Sequence, residues 1–174
     1  YSSHHDGSPT RGVLPGLAEN IILLPPNDID RVSDTLASDD DISAMILEPT
    51  GSNFGMVPLA EGYLAALREL TERHSVVLIF DEVVTGFRVS PGGAQELFGV
   101  RPDLTALGKI VAGGLPGGAL AGCTEIMERI DFAASAEAGA EKISHQGTFN
   151  ANPVSMLAGA VTLEALTPDV YRQL

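Results

Sequence analysis

The chain has 174 residues, a hydrophobic fraction of 44% and a formal net charge of −13, enough for one globular domain with a real core. Only ten basic residues are present and they are scattered, which argues against a nucleic-acid groove or an anionic membrane surface as partner. One cysteine, Cys123, permits neither an internal disulfide nor a zinc cluster and points to a reducing, cytoplasmic setting, and no apolar run approaches a membrane span.

Short apolar runs alternate with helical stretches, the pattern of an α/β protein with a mostly parallel sheet flanked by helices. Residues 1–19, rich in glycine, proline and histidine, read as a loop without a signal-peptide pattern. Residues 20–24 read as a strand ended by Pro25-Pro26, and residues 28–38 as a helix. Ser43 to Leu47 is a buried strand delivering Glu48-Pro49, followed by a loop over 50–57. Leu59, Tyr63, Leu64, Leu67 and Leu70 repeat at helical spacing, so a helix is expected over 58–74, with Pro58 in its first turn. Val76 to Phe80 is a fully apolar, β-branched strand that delivers Asp81 and Glu82. A short helix over 94–98 and a strand over 104–107 precede Lys109, and a strand over 118–123 follows it. Residues 133–140 are alanine- and glutamate-rich without a clear pattern. Residues 153–166 form a helix with Asn152 as N-cap.

Lys109 is one of two lysines in the chain. It stands among apolar residues and glycines in Leu107-Gly108-Lys109-Ile110-Val111-Ala112-Gly113-Gly114. An amine there, with no acid nearby in sequence, is expected to be desolvated and to lose some proton affinity, as a nucleophile that attacks a carbonyl requires. Ligands of open α/β sheets sit beyond the carboxyl ends of the strands. Glu48, Asp81 and the Lys109 loop all fall near such ends, so three strands would aim polar groups into one crevice. Pyridoxal phosphate (PLP) fits this set. Lys109 would form the Schiff base and then move protons, and Asp81 would keep the ring nitrogen protonated. Val83 lies two residues beyond Asp81, on the same side by alternation, where it could press on a flat ring. Gly147-Thr148 precedes a helix N-terminus suited to an anion. The alternative readings of these residues are a solvated loop lysine, a turn-capping Asp, a core valine and a plainly capped helix.

The motifs Phe80-Asp81-Glu82-Val83 with Thr85-Gly86-Phe87-Arg88, Gly92-Gly93-Ala94-Gln95, Pro102-Asp103-Leu104-Thr105, Leu107-Gly108-Lys109 and Gly147-Thr148-Phe149-Asn150-Ala151-Asn152-Pro153 resemble those of class III, fold-type I aminotransferases. They come closest to the glutamate-1-semialdehyde 2,1-aminomutase branch and its aminotransferase-like relatives. The resemblance covers most of residues 43–166. It implies that Lys109 is the Schiff-base lysine, Asp81 the partner of the pyridine nitrogen and Val83 the residue against one ring face. It implies that Tyr1 stacks on the other face, and that Thr148 reaches the phosphate of a neighbouring subunit's cofactor, hence a homodimer with shared sites. Glu48 matches the acid of the Glu-Pro turn near the site. Asn53 matches an asparagine near the ring and favours the aminomutase side. The implied substrate is a small amino or oxo acid. Residues 1–174 would then be a partial large, cofactor-binding domain without the family's N-terminal segment and C-terminal small domain. Tyr1-Ser2-Ser3 departs from the family's Tyr-His-Gly. The stretch from Tyr1 to Asp28 is short for the aminomutase gating segment, which implies a transaminase that exchanges amino groups between two substrates. The alternatives are a true aminomutase of tetrapyrrole synthesis or a non-catalytic fragment.

Other candidates are weaker. His4-His5-Asp6 lacks a metal-site context, and no metal is expected. His145 reads as a surface histidine, Arg88 as a partner of a surface acid, Cys123 as core filler and Asp39-Asp40-Asp41 as a solvated turn. A dinucleotide-binding domain is a rival class, but the chain has neither a Gly-x-Gly-x-x-Gly turn after its first strand nor a P-loop.

Overall fold

A computed structural model describes residues 11–51 and 55–174. Tyr1, Asn53 and His4-His5-Asp6 lie outside the described residues. A short helix, Pro15–Ala18 (α1), comes first. Helix Ile29–Ser38 (α2) starts at Asp28, whose carboxylate accepts the Arg31 amide at 2.9 Å, a side-chain N-cap. Strand Ala44–Leu47 (β1) leads into a tight turn closed by the Gly51 amide on the Glu48 carbonyl. The pair Val57–Pro58 (β2) then bridges back to Gly51. Helix Tyr63–Arg73 (α3) and strand Val77–Glu82 (β3) follow, then helix Gly93–Phe98 (α4) and strand Leu104–Leu107 (β4). A 3-10 turn, Lys109–Ala112, leads to strand Ala119–Gly122 (β5). Beyond it come helix Thr124–Met127 (α5), a 3-10 turn at Glu128–Ile130, and helices Phe132–Glu137 (α6), Pro153–Ala165 (α7) and Pro168–Tyr171 (α8).

The sheet has the order β1-β3-β4-β5, with the first three strands parallel and β5 antiparallel to β4, so the expected mostly parallel α/β architecture is present. In register, Leu47 pairs with Phe80, Phe80 with Thr105 and Asp81 with Ala106. Side chains alternate across such strands. Leu78 and Phe80 therefore enter one face, where they pack with Leu64, Val100, Met45 and Leu47. Val32, Leu36, Leu67, Leu70 and Val76 extend that core between α2 and α3. Asp103 ties the layers together by accepting the Leu78 amide at 2.7 Å and Arg68 Nη1 at 2.9 Å. Asp81 emerges on the opposite face.

Four local expectations change. Residues 20–24 are irregular and largely exposed rather than a strand, because no described strand pairs with them; apolar composition does not make a strand without a ladder partner. The helix expected from Pro58 begins at Tyr63. Pro58 and Ala60 are held instead by Asn27, whose amide donates to the Pro58 carbonyl at 2.9 Å and whose oxygen accepts the Ala60 amide at 2.7 Å. Gly62, at φ +78, delays the helix further. The strand expected to stop at Phe80 runs through both acids to Glu82. The unassigned alanine-rich stretch forms α6, because Asp131 accepts the amides of Ala133 and Ala134 at 2.8 and 3.0 Å.

Helix α7 packs directly on the 3-10 turn that begins with Lys109. The contact is backbone to backbone. A Cβ on Gly159 would lie 2.3 Å from the Val111 carbonyl oxygen, and one on Gly113 would lie 2.3 Å from the Ala158 carbonyl oxygen. Ser155 Oγ closes the other end of the contact by donating to the Pro116 carbonyl at 2.8 Å.

Two predictions follow from this packing. Gly159→Ala will lower stability by about 1–3 kcal/mol through forced separation of helix and turn, read as a lower urea midpoint. Gly16→Ala, where nothing lies within 4 Å of the added methyl, will change the midpoint by no more than about 1 kcal/mol. Burial, aided by the Asp28 carboxylate, pushes the Tyr63 phenol above its ordinary value. The stability tied to its neutral form is complete below about pH 10 and is lost as pH rises through the raised value. A Tyr63→Phe variant will accordingly lose less stability than wild type between neutral and strongly alkaline pH, measured by denaturant unfolding at each pH.

Candidate functional site

Asp81 is half-buried near the carboxyl end of β3, the central parallel strand. Its Oδ1 accepts the Val83 amide at 3.0 Å, which fixes the carboxylate plane. Its other oxygen has no hydrogen bond among the described residues. Glu48 directly follows β1, whose last residue pairs with Phe80, so it stands level with Asp81 on the adjacent strand. Ala106, the partner of Asp81 on β4, lies three residues before Lys109. Glu48, Asp81 and the lysine turn therefore gather at the carboxyl edge of three neighbouring parallel strands, as sequence reasoning expected.

Val83 contacts this same edge. A Cβ on Gly108 would sit 3.2 Å from Val83 Cγ1, so the missing side chain at 108 gives the valine its seat beside the lysine. Lys109 itself adopts φ +49, a left-handed conformation costing a non-glycine residue roughly 1–2 kcal/mol. It is held there by Gly108 before it and by the α7 contact behind it. The expected desolvation of the amine is not found, for the Lys109 side chain is exposed. Of its apolar sequence neighbours, Val111 and Ala112 approach Gly159 of α7, whereas Leu107 packs on Gly86.

Thr148 is exposed in the turn closed by the Asn150 amide on the Gly147 carbonyl. That turn leads into α7, whose N-cap Asn152 accepts the amides of Val154 and Ser155 at 3.0 and 3.3 Å. Thr148 thus stands on the segment before the helix that seats the lysine turn. Arg88 and His145 are exposed. Tyr1 and Asn53 lie outside the described residues.

Sequence reasoning missed Glu82. It is only 1% exposed and points to the helix-covered face, opposite Asp81. There it borders a cleft of about 460 Å³, lined also by Gly86, Phe87, Gly93, Gln95 and Leu107. The signal was present in two adjacent acids at the end of an apolar strand, since alternation sends the second into the core. Two glycines were also passed over, Gly108 and Gly159, whose importance comes from contacts distant in sequence.

The donor set suits a coenzyme carrying an aldehyde and a basic ring nitrogen, with an accessible primary amine at one strand end and an oriented carboxylate on the next strand. Val83 supplies an apolar surface between them.

Known proteins share the sequence and fold of this chain. The aminotransferase class-III family model matches residues 19–173. A glutamate-1-semialdehyde 2,1-aminomutase 2 from Brevibacillus brevis is 48% identical over 165 residues, which cover 94% of this chain and 37% of that protein. The chain thus spans little more than a third of the relative's length. Among solved structures, an omega-transaminase from Sphaerobacter thermophilus superposes with a TM-score of 0.82 at 40% identity, over 92% of this chain and 36% of that one. A transaminase with PLP bound gives a TM-score of 0.82 at 35% identity, over 95% and 39%. With the family model spanning nearly the whole chain and the same fold at substantial identity, the chain belongs to the class-III aminotransferases.

Proposed function

We propose that residues 1–174 form part of the large, cofactor-binding domain of a PLP-dependent enzyme that moves amino groups on a small amino or oxo acid. The observation that carries the reading is the strand register, with Asp81 beside Ala106 and Lys109 just beyond it. Membership of the class-III family and likeness to a transaminase with PLP bound support it.

PLP supplies an electrophilic carbonyl carbon and an electron-accepting ring. Lys109 would hold that carbon through its Nζ, and the same amine, when not so engaged, would serve as the base that moves a proton. Asp81, oriented by the Val83 amide, would hold a proton on the ring nitrogen. By the family resemblance Val83 and Tyr1 would flank the ring and Asn53 and Glu48 would lie near it, Tyr1 and Asn53 being outside the described residues. Thr148 would donate its hydroxyl to the phosphate of a neighbouring subunit's coenzyme, so that each site of a homodimer would draw on two subunits. A cytoplasmic location fits the single cysteine.

Aminomutase-like chemistry is favoured over a generic transaminase by the 48% identity to a glutamate-1-semialdehyde 2,1-aminomutase 2 and by asparagine at position 53. The short stretch between Tyr1 and Asp28 supports exchange between two substrates as the second reading.

With the full-length protein and added PLP, the lysine-dependent visible absorbance band will appear in wild type and be lost in Lys109→Ala. Amino-transfer rate will fall about 10²–10⁴-fold in the same variant; a band that survives the substitution rejects the site. Asp81→Asn will keep the band and lose about 10²-fold or more in rate, since it removes the charge that holds the ring proton. Turnover of glutamate-1-semialdehyde alone, against turnover that needs an amino donor and a keto acid, separates aminomutase from transaminase.

A further inference from the structure

Glu82 stands directly beside Asp81 in sequence, yet it points away from the proposed coenzyme. A buried carboxylate is costly unless its oxygens are filled, and here both are. Oε2 accepts Thr85 Oγ1 at 2.9 Å and the Ala94 amide at 2.5 Å. Oε1 accepts the Gln95 amide at 3.3 Å and Gln95 Nε2 at 3.2 Å, and the same Nε2 reaches Thr105 Oγ1 on β4 at 3.3 Å. The main chain joins in, as the Glu82 carbonyl accepts the Gly86 amide at 2.9 Å. Two glycines make room. A Cβ on Gly93, at φ +71, would lie 2.3 Å from Glu82 Oε2, and one on Gly86 would lie 2.8 Å from the Glu82 carbonyl oxygen.

We propose that Glu82 is a positioning residue for Asp81, a latch on the far face of the sheet that locks the turn 83–86 and thereby the carboxylate that turn orients. Its side chain and carbonyl fasten the far end of that turn, at Thr85 and Gly86. Within the turn lies the Val83 amide that bonds Asp81 Oδ1. Through Ala94 and Gln95 the latch also fixes α4, and through Gln95 it reaches β4, the strand that leads to Lys109. The inference rests on the reading of Asp81 as the ring-nitrogen partner, but its first consequence is testable without coenzyme.

The test compares wild type with Glu82→Gln, which keeps the shape but offers an amide donor to a ring of donors. Glu96→Gln is the control. Glu96 is an exposed residue of the same helix that accepts the Gly92 amide at 2.6 Å and has no part in the latch. In the full-length apo protein, hydrogen exchange at the Val83 amide will be about tenfold faster in Glu82→Gln and unchanged in Glu96→Gln. In the presence of PLP, the dissociation constant will rise about tenfold and the visible circular dichroism of bound coenzyme will weaken in Glu82→Gln alone. Unchanged Val83 exchange in a folded Glu82→Gln protein overturns the latch whatever the coenzyme does. Faster exchange in Glu82→Gln, together with a wild type that binds no PLP, would leave the latch standing and remove the coenzyme reading instead. If Glu82→Gln does not fold, Thr85→Val and Gln95→Ala each remove part of the donor ring. Each will then speed Val83 exchange about two- to fivefold, and no change in either overturns the proposal.

Discussion

The period-two alternation of β3 at Phe80-Asp81-Glu82 is the constraint on which the rest of the structure depends. Phe80 is fully buried and Glu82 nearly so, both on the helix-covered face. With its neighbours committed to the core, Asp81 has one direction left, toward the opposite face. A slip of one residue would bury Asp81 in an apolar cluster and expose Phe80, and burying an unpaired carboxylate costs several kcal/mol. The hydrophobic core thus aims the functional acid. Packing and chemistry are separate jobs given to adjacent residues of one strand.

The lysine end of the site is held by a different kind of force. Lys109 sits on no long element. It begins a 3-10 turn in a left-handed conformation, which local preference opposes. What holds it is close backbone approach, with Gly159 and Gly113 letting α7 and the turn meet at distances that side chains would forbid. Such contacts are stiff, because neither partner has a rotamer through which to yield. Asp81 is therefore positioned by a strand ladder and hydrogen bonds, and Lys109 by steric interlock. The two supports meet where Val83 rests against Gly108.

The strands and α7 were legible because each carries its signal locally. β3 is an apolar, β-branched run, and α7 announces itself by Asn152-Pro153, which the structure uses as cap and first turn. Convergence of Glu48, Asp81 and the Lys109 loop was legible because strand ends in a parallel sheet share one edge. What could not be read locally depended on partners distant in sequence. Residues 20–24 have strand composition but no ladder among the described residues. Pro58 suits a helix start, yet Asn27 holds it elsewhere. Desolvation of Lys109 was inferred from its sequence neighbours, whereas solvent access is set by whatever packs above the turn.

That last point extends to the surface as a whole. Val154, Met156, Leu157 and Val161 of α7 are all exposed, although the opposite side of the same helix packs on the lysine turn. Ile46 and Leu120, on the Asp81 face of the sheet, are exposed as well. A helix apolar around its circumference and a sheet apolar on both faces are patterns of buried elements. Large apolar side chains left exposed on such elements have the composition of surface that packs against further protein. The covering layer would lie on the side of the sheet where Asp81 emerges and against the helix that seats Lys109. Water would then be excluded from the acid and the amine together, strengthening the charge interactions on which both of their proposed roles rely.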